Sequence, residues 1–427
     1  MILEMLAQFA PVILIVVFLL GMVIGLPITW ALGITTVVTV AIDPGITFAV
    51  VGQKLFSSAD NFAMLAVPGF FLAGDIMTAG GLSKKLVGWV TGGISLVAIV
   101  SCAFFAAISG SSAATTAAIG GIMYPEMVKR GYPSDYSTAV QAVGGTLGII
   151  IPPSIVFVIY GSTNGVSISK LLMSGMLPGI LTAVVLCLYG YVVAKKENFP
   201  KSFDQFSLKR VLKSLKGAVW ALMMPLIILG GIYGGIFTPT ESAMIACAYG
   251  LVVSFFVTKE LTVKNFFDVV SKTAASTANV TVMFLAAQVF GFLIAYYDIT
   301  TTIANFFVAV SPNWIIFMGL VFILLTITGM FMEVGATNVI LSPLLAPVAA
   351  AFGIDPIHFG MVFVFLLALG QATPPFGSTM FIACGISGER VAAVIRRLLP
   401  FVLVEYACAL VFAYVPWFST FLPSLMA

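Results

Sequence analysis

Charged residues are scarce in this sequence. Asp, Glu, Lys and Arg make up 8% of its 427 residues, against about 25% in soluble globular domains. This scarcity excludes an ordinary soluble protein, and a net charge of +3 gives no support for a nucleic-acid partner.

Hydrophobic residues make up 61% of the sequence, and they form uncharged runs that exceed the length of about 20 residues needed to cross a bilayer. These runs are Met5–Ile42, Leu86–Pro125, Tyr136–Ser169, Leu171–Ala194, Gly217–Thr240, Thr273–Tyr297, Ile299–Met332 and Pro356–Gly388. They lack the alternating polarity of barrel strands, so the sequence predicts an all-α polytopic protein in the lipid bilayer.

Cysteine and histidine are also few. The five cysteines stand singly, without a CxxC pair, and His358 is the only histidine. The sequence therefore gives no sign of a disulfide framework or of a transition-metal site. It also lacks a GxSxG motif and a histidine-containing cluster, which argues against an intramembrane hydrolase. We predict no enzymatic activity, no catalytic residues and no organic cofactor. We interpret His358, beside Asp355 at the start of an apolar run, as an interfacial residue rather than a proton shuttle.

The sequence repeats itself with an offset of 222 positions. At this offset four prolines and two glycines of the first copy align with the same residue type in the second, far more proline matches than chance supplies at about 5% proline. The aligned pairs are Pro125 with Pro347, Gly131 with Gly353, Gly148 with Gly370, Pro152 with Pro374, Pro153 with Pro375 and Pro178 with Pro400. A duplicated unit of this kind is typical of secondary transporters.

Charges at the ends of the repeated runs predict that the two copies are inverted. A run in the first copy lies between two basic pairs, whereas its counterpart in the second copy lies between two aspartates. The residues are Lys84 with Lys85 and Lys129 with Arg130 in the first copy, and Asp298 and Asp355 in the second. Because Lys and Arg accumulate in cytoplasmic loops, the two runs should open to opposite sides of the membrane.

Counting spans back from Lys84 predicts both termini to be periplasmic. Residues 1–30 lack a basic start and a cleavage site, so they are predicted to form a retained first span.

An apolar run with both ends on one side must turn back inside the membrane. The middle of the first run, residues 108–116, is small and hydroxyl-rich, and the equivalent segment of the second copy is 332–338. Non-helical backbone at membrane depth is tolerated where it is buried in protein or lines a wet cavity. We therefore predict re-entrant helical hairpins at about residues 86–128 and 312–354, with these two segments as their tips.

Each copy also carries a double proline within a long apolar run, Pro152-Pro153 and Pro374-Pro375. Proline removes a backbone donor and clashes with the carbonyl four residues earlier, so broken helices are predicted at about residues 136–169 and 356–388. Ends of broken helices offer N–H groups to an anion and free carbonyls to a sodium ion. The parallel placement of a polar hairpin tip and a helix break in both copies predicts a binding site.

Three segments together resemble the large membrane subunit of tripartite ATP-independent periplasmic (TRAP) transporters. They are GSSAATTAAIG at residues 110–120, GIFTPTESA at 235–243 and ATPPFG at 372–377. The resemblance covers essentially the whole chain. It implies a sodium-coupled importer of a carboxylate-bearing solute in the bacterial inner membrane, using at least two sodium ions. It also implies two protein partners, a periplasmic substrate-binding protein and a small membrane subunit that is expected to be a separate chain.

The resemblance further implies an elevator-type fold similar to that of the ion-transporter superfamily, in which a transport domain moves against a scaffold. Residues 1–83 and 199–301 are assigned to the scaffold, the second part with a cytoplasmic arm at about 259–272. Residues 84–198 and 302–427 are assigned to the transport domain, which contains both hairpins and both broken helices.

Sodium sites implied by this architecture lie between each hairpin tip and the broken helix that faces it. The first set is Ser109, Gly110, Ser111, Ser112, Gly145 and Ile150, and the second set is Gly335, Thr337, Asn338, Ala372 and Thr373. No metal ion other than sodium is expected. The substrate-binding candidates are Ser112, Thr115, Pro153, Ser154, Glu333, Thr337 and Pro375.

Glu333 is the informative difference between the copies, because it aligns with Ser111. Two interpretations stay open for its carboxylate, a cap that locks the second hairpin and a direct binding role. Glu241 follows Pro239 and Thr240 at a predicted helix start, where a carboxylate suits the helix dipole.

Other transport functions also stay open. A stand-alone sodium- or proton-coupled carboxylate symporter is the nearest alternative, and an uncoupled channel is a more distant one. The scarcity of buried carboxylates favours sodium, because proton coupling needs a titrating group. No Lys or Arg lies inside the uncharged runs, so the anion would be held by helix ends, hydroxyls and amides. Sialic acid and C4-dicarboxylates are the leading substrates by resemblance, with a slight preference for sialic acid.

Overall fold

The computed structural model of the chain describes residues 8–24, 26–79, 93–199 and 208–426. All regular elements in these ranges are helical, which confirms the all-α prediction. The first half contains α1 (Ala10–Val23), α2 (Ile28–Ile42), α3 (Phe48–Ala59), α4 (Ala66–Ala79), α5 (Ile94–Ser109), α6 (Ser112–Lys129), α7 (Ser134–Ile150), α8 (Ile155–Asn164) and α9 (Ile168–Lys196). The second half contains α10 (Leu208–Tyr233), α11 (Pro239–Val252), α12 (Val263–Tyr296), α13 (Ile299–Val310), α14 (Trp314–Phe331), α15 (Val334–Ala351), α16 (Pro356–Gly370), α17 (Ser378–Ser387), α18 (Val391–Tyr414) and α19 (Trp417–Ser424).

Several helices have the length and composition of membrane spans. Among the described residues, five helices qualify, or up to seven if each of two bent pairs counts as one span. The bent pairs are α7 with α8, at 40°, and α18 with α19, at 62°. Large apolar side chains are also exposed on the outer helices, such as Leu188 (60%) on α9 and Ile323 (58%) on α14. Such exposure suits contact with lipid, so the structure agrees with a multi-pass membrane protein.

The duplication is visible in the helix bounds. Helix α6 begins at Ser112 and α15 at Val334, and α7 begins at Ser134 and α16 at Pro356, so both pairs are 222 positions apart. Each copy contains two helices separated by a two-residue tip, followed by two helices separated by a break at the double proline. The relative orientation of the two copies stays a prediction.

The predicted hairpins coincide with helix pairs. The second, at about 312–354, corresponds to α14 and α15, and the first, at about 86–128, corresponds to α5 and α6. The start of the first hairpin lies outside the described residues, as do Lys84 and Lys85. Each arm of the second hairpin has 18 residues and is apolar enough to cross a membrane by itself. The turn back within the membrane therefore stays a prediction.

The first halves of the two broken helices form the centre of the protein. All residues from 136 to 150 of α7 and from 358 to 370 of α16 are buried, and the two helices pack against each other. Helix α16 is apolar on all sides, as expected for a helix surrounded by protein. The residues that follow each helix, at the double prolines, are thereby placed inside the molecule rather than at its lipid-facing surface.

Helices assigned to the scaffold and helices assigned to the transport domain each pack partly among themselves. Helices α2, α3 and α4 pack against α12, and α4 also packs against α11, whereas α7 packs against α5, α6, α17 and α18. The predicted boundary at 301/302 falls inside α13, and the boundary at 83/84 lies outside the described residues. The predicted cytoplasmic arm, 259–272, overlaps the start of α12, which is one continuous helix of 34 residues. The domain assignments stay predictions.

Candidate functional site

The first hairpin tip is a tight turn between α5 and α6. Gly110 has a left-handed backbone conformation, with φ of 61°, which glycine adopts without steric cost. Ser111 then caps α6, because its hydroxyl accepts a hydrogen bond of 3.4 Å from the amide of Ala114, a common role for serine. The hydroxyls of Ser109 and Thr115 share a hydrogen bond of 2.9 Å beneath the turn. The small and hydroxyl-bearing residues of the tip thus have defined local roles.

This tip lies directly against the first broken helix. The amide of Ile155, at the start of α8, donates a hydrogen bond of 3.4 Å to the carbonyl oxygen of Gly110. A Cβ atom at Gly110 would lie 2.6 Å from the carbonyl oxygen of Pro153, and one at Gly148 would lie 2.5 Å from that of Ser111. Real Cβ atoms do not approach so closely, so glycine is needed at Gly148 for the tip to reach α7. The structure therefore brings the tip to the helix break.

Two predicted carbonyl positions on α7 have different surroundings. Gly145 lies beside the hydroxyl of Thr116 and near the carbonyl oxygen of Ser112, so it faces the start of α6. The carbonyl oxygen of Ile150 lies instead next to Gly175 of α9, where a Cβ atom would be 2.6 Å away. Gly145 is therefore at the tip, and the described contact of the Ile150 carbonyl is with another helix.

Buried oxygen atoms without partners occur at this first site. Ser112 is 2% exposed and Ser154 is 0% exposed, and neither hydroxyl oxygen has a hydrogen-bond partner among the described residues. A buried polar group that lacks a hydrogen bond costs about 1–3 kcal/mol, and such groups commonly mark an ion or a water. Oxygen atoms with free lone pairs are the ligands that a sodium ion takes. Ser112 therefore fits the sodium ion that the resemblance implies there, and Ser154, a predicted substrate-binding residue, adds a second unpaired oxygen at the break.

The second tip is capped by Glu333. Its carboxylate accepts a hydrogen bond of 2.9 Å from the amide of Ala336 at the start of α15. Its backbone carbonyl accepts a hydrogen bond of 2.9 Å from the hydroxyl of Thr337. Gly335 lies between this carboxylate and the end of the Met283 side chain. The capping interpretation of Glu333 thus has a direct structural basis, and the hydroxyl oxygen of Thr337 keeps lone pairs for a further ligand.

Asn338 connects the second hairpin to the first copy. Its side-chain amide donates a hydrogen bond of 2.9 Å to the carbonyl oxygen of Val156 on α8. Its oxygen atom Oδ1 is buried and has no partner among the described residues. A second bond between the same helices, 2.8 Å long, joins Asn164 to Ser342. Asn338 therefore presents an unpaired oxygen where α15 meets the second half of the first broken helix.

The second helix break has its own polar contacts. The hydroxyl of Thr373 donates to the carbonyl oxygen of Leu369 at 2.7 Å and lies 3.0 Å from the hydroxyl of Tyr406 on α18. Ala372 is fully buried beside it. In the described part of the chain, no hydrogen bond joins Ala372 or Thr373 to Thr337 or Asn338. The two halves of the predicted second sodium site are each ordered by separate contacts.

The two breaks differ in exposure. Pro153 is buried, whereas Pro375 is exposed together with its neighbour Phe376 (57%). The ring of Phe376 lies 5.3 Å from that of Phe331, which ends the first arm of the second hairpin and is 61% exposed. Glu333 is exposed beside them. Of the predicted substrate-binding residues of the second copy, Glu333 and Pro375 are thus accessible, whereas Thr337 is buried. The candidates of the first copy, Ser112, Thr115, Pro153 and Ser154, are all buried.

One buried acid was missed by the sequence reasoning. Glu405, on α18, is fully buried, and its carboxyl oxygen Oε1 lies 2.5 Å from the hydroxyl of Thr146 on α7. The signal that was available is a single acidic residue inside an apolar span, which commonly marks a functional position. Glu405 is a buried titrating group, so it weakens the preference for sodium that the scarcity of buried carboxylates suggested.

Two other charged or titratable residues have clear structural surroundings. Glu241 forms a capping box with Thr238 at the start of α11, which confirms its interpretation as a helix-start carboxylate. His358 is 1% exposed, and its ring nitrogens lie 2.7 Å from the hydroxyl of Ser419 and 3.1 Å from the carbonyl oxygen of Ala413. The ring is enclosed by protein, because α19 folds over the start of α16, and the position of His358 at the membrane interface stays a prediction.

Several proteins similar to this chain are TRAP transporter permeases. The chain is 40% identical over 406 residues to an isethionate TRAP transporter permease protein, DctMQ, of Oleidesulfovibrio alaskensis, covering 93% of this chain and 64% of that protein's length. It is 36% identical to the C4-dicarboxylate TRAP transporter large permease protein DctM of Vibrio cholerae, covering 97% of this chain and 98% of that protein. It is 33% identical to the sialic acid TRAP transporter permease protein SiaT of Haemophilus influenzae, covering 97% and 68%.

A solved structure shares the fold. The crystal structure of the YdaH transporter of Alcanivorax borkumensis superposes with a TM-score of 0.61 at 15% identity, covering 87% of each chain. The family described as the DctM component of the tripartite ATP-independent periplasmic transporters matches residues 15–418. These matches cover both hairpins and both broken helices. The chain therefore belongs to the DctM family and is a large membrane subunit of a TRAP transporter.

Proposed function

We propose that this subunit couples the inward movement of sodium to the import of an organic acid. The observation that carries the proposal is the set of buried oxygen atoms without partners at the hairpin tips and helix breaks. These atoms are Ser112 Oγ, Ser154 Oγ, Asn338 Oδ1 and Gln371 Oε1. Ser112 and Asn338 belong to the predicted sodium sites, whereas Ser154 and Gln371 are neighbouring residues at the two breaks that were not among the predicted sodium ligands. Sodium needs oxygen ligands and no titrating group, so these atoms are suitable ligands in both copies.

The substrate is proposed to be a small carboxylate-bearing solute held near the second tip. Relatives are named for C4-dicarboxylate, for isethionate and for sialic acid. The exposed surface around Phe331, Glu333 and Pro375 offers access from solvent. Because Glu333 is acidic and already caps α15, we assign it to holding the hairpin, and we assign anion binding to the hydroxyl and backbone groups of the two tips. The slight preference for sialic acid over a C4-dicarboxylate has no support in these contacts.

Two protein partners are suggested by membership in the DctM family. We propose a periplasmic substrate-binding protein that delivers the solute and a small membrane subunit that completes the permease. The apolar helices and the family indicate a multi-pass protein of the bacterial inner membrane, and we propose that both termini face the periplasm.

The proposed mechanism is an elevator, in which the transport domain, residues 84–198 and 302–427, moves against the scaffold, residues 1–83 and 199–301. Two contacts cross the proposed boundary at α8. The side-chain amide of Asn61 donates a hydrogen bond of 2.9 Å to the hydroxyl of Ser162, and the amide of Gln288 lies 3.5 Å from the hydroxyl of Thr163. A few polar contacts of this kind can be exchanged at low cost, which supports a boundary that slides.

Reconstituted uptake tests the proposal. The chain and the small membrane subunit are reconstituted into proteoliposomes. The binding protein, loaded with labelled C4-dicarboxylate or sialic acid, is added outside together with an inward gradient of sodium. Uptake is expected with sodium and not with choline in its place. Uptake driven equally by a proton gradient without sodium would contradict sodium coupling. Uptake by the lone chain without a binding protein would favour the stand-alone symporter.

A further inference from the structure

Glu405 is an acid enclosed in the membrane part of the protein. It lies in the middle of α18, it is 0% exposed, and it is the only Asp or Glu among the described residues that are buried. A charged carboxylate in such surroundings is costly unless a cation or several hydrogen bonds compensate it. Its second oxygen, Oε2, has no hydrogen-bond partner among the described residues. The surroundings therefore disfavour the ionised form.

No basic side chain compensates Glu405 in the described structure. The nearest basic residue along α18 on the inward face is Arg397, about two helical turns earlier. Its guanidinium is engaged by Asp135, at 3.3 Å, and by Glu197. Tyr406 and Cys408, on the same helix, interact electrostatically with Glu405, and both are neutral in their ordinary forms.

The helices packed against α18 add few other groups that could compensate a charge on Glu405. They are α7, α9, α14, α16 and α17. Their inward titratable groups are Asp135, Tyr136, Cys187, Tyr189, His358 and Cys384. Of these, Asp135 is paired with Arg397, and the ring nitrogens of His358 are occupied by Ser419 and Ala413. None provides a positive charge next to Glu405.

The two contacts of the Thr146 hydroxyl are best satisfied when Glu405 is protonated. Its hydroxyl oxygen is 2.7 Å from the backbone carbonyl oxygen of Val143 and 2.5 Å from Oε1 of Glu405. A hydroxyl group has one hydrogen to donate, and the carbonyl of Val143 can only accept. If Thr146 donates to Val143, then the hydrogen between Thr146 and Glu405 belongs to Glu405. A protonated carboxyl group therefore satisfies both contacts with the atoms present.

The position of this bond relates it to the transport site. Thr146 stands between Gly145 and Gly148, the two α7 residues that contact the first hairpin tip. The next residue of α18, Tyr406, shares a hydrogen bond of 3.0 Å with Thr373 at the second helix break. Successive residues of α18 thus hold both broken helices.

We propose that Glu405 is a proton-binding site in the membrane interior and that it is occupied at neutral pH. Its protonated carboxyl group donates a hydrogen bond to Thr146 and so positions the first broken helix against its hairpin tip. The ligand is a proton, and the site is separate from the proposed sodium sites. Glu405 acts through Thr146, so it is a positioning residue and does not touch the transported solute.

Infrared spectroscopy tests the protonation directly and does not depend on transport. The purified full chain at pH 7 is compared with Glu405→Gln and with Asp268→Asn, a control that removes an exposed carboxylate. The carbonyl stretching band of a neutral carboxylic acid is expected in the parent and in the control and is expected to be missing from Glu405→Gln. A parent spectrum without that band, in which Glu405→Gln removes carboxylate bands instead, overturns the proposal.

Variants test the positioning role. Glu405→Gln keeps a side-chain donor for Thr146 and is expected to keep the parental sodium dependence of uptake. Glu405→Met fills a similar volume without a donor, and the sodium concentration for half-maximal uptake is expected to rise about tenfold, the scale of one lost buried hydrogen bond. Thr146→Val is expected to behave like Glu405→Met. If Glu405→Gln is as impaired as Glu405→Met, or if Glu405→Met matches the parent, the positioning role is wrong. The infrared result stands in either case, even if Glu405→Met fails to fold.

Discussion

The side-chain amide of Asn338 is hydrogen-bonded to the carbonyl oxygen of Val156 at 2.9 Å, which ties the second hairpin to the first broken helix three residues after its proline pair. The two residues are 182 positions apart in the chain. The copies are therefore not independent, because the helix that follows each break packs on the second arm of the other copy's hairpin: α8 on α15, and α17 on α6. An ion bound at either tip is in a position to influence both.

Replacing Asn338 should affect both stability and sodium dependence. Asn338→Ala removes the donor to Val156 and the unpaired oxygen Oδ1, so we expect the free energy of unfolding to fall by about 1–3 kcal/mol and the sodium concentration for half-maximal uptake to rise. Ser342→Ala is the matched control, because it removes the neighbouring bond to Asn164 without removing a predicted sodium ligand. Thermal unfolding in detergent and uptake at several sodium concentrations measure the two effects. Equal sodium dependence of the two variants would contradict the assignment of Asn338 as a sodium ligand.

Hydroxyl groups at the tips should be needed for sodium binding rather than for folding. Ser112→Ala removes a buried oxygen that has no partner in the described structure. We therefore expect the sodium concentration for half-maximal uptake to rise, with little loss of stability. Transport should be recovered at higher sodium concentration. Thr337→Ala should have a similar effect on sodium and also lose the bond to the carbonyl oxygen of Glu333. Ser424→Ala, at an exposed position on α19, serves as the control, and parental sodium dependence in Ser112→Ala would refute the first site.

Close packing of the first tip should make Gly148 intolerant of a side chain. A Cβ atom there would lie 2.5 Å from the carbonyl oxygen of Ser111 and 2.7 Å from the hydroxyl of Thr115. We expect Gly148→Ala to lower the free energy of unfolding by about 1–3 kcal/mol, as overpacking does, and to reduce uptake by moving the tip. Gly121→Ala is the control, because nothing lies within 4 Å of its Cβ position. Equal melting temperatures for the two variants would show that the tip is not packed as described.

Local sequence patterns predicted the interrupted helices well. The tips fall where small and hydroxyl-bearing residues occur, at Gly110 and Ser111 in the first copy, and both breaks fall at double prolines. These features depend on short-range chemistry, namely the left-handed conformation of glycine, the capping hydroxyl of serine and the missing donor of proline. Residues that act through their neighbours in the sequence are therefore the ones that a single sequence reveals.

Contacts between distant segments were not predictable in the same way. The bond from Asn338 to Val156 and the bond from Thr146 to Glu405 join residues 182 and 259 positions apart. An apolar span shows no helical periodicity that identifies its inward face when both lipid and protein interior are apolar. The burial of Glu405 and the enclosure of His358 by α19 therefore required the packed structure. The carbonyl of Ile150 illustrates the same point, because its side of α7 faces α9.

An elevator should be stopped by linking α8 to the scaffold. Asn61 and Ser162 are hydrogen-bonded across the proposed boundary, so cysteines at both positions should be joined by a short bifunctional thiol reagent, in a background without the five native cysteines. We expect the link to abolish uptake and a reducible linker to allow its recovery. The matched control is a cysteine pair at Asn164 and Ser342, which are bonded within the proposed transport domain. Linking that pair should leave uptake intact. Full uptake by the Asn61–Ser162 link would contradict a sliding boundary there.

Inversion of the two copies predicts opposite accessibility for two equivalent positions. Lys129 ends α6 and Ala351 ends α15, they are 222 positions apart, and both are exposed. If the copies are inverted, the basic surroundings of Lys129 place it in the cytoplasm, and the acidic Asp355 near Ala351 places that end in the periplasm. Inversion would let one arrangement of helices open the site first to one side and then to the other, as alternating access requires.

Lys129→Cys and Ala351→Cys, each in the background without native cysteines, are labelled in intact cells and in inside-out vesicles with an impermeant thiol reagent. We expect Lys129→Cys to react only in the vesicles and Ala351→Cys only in the cells. Reaction of both from the same face would make the copies parallel, and the elevator proposal would then lose its structural basis.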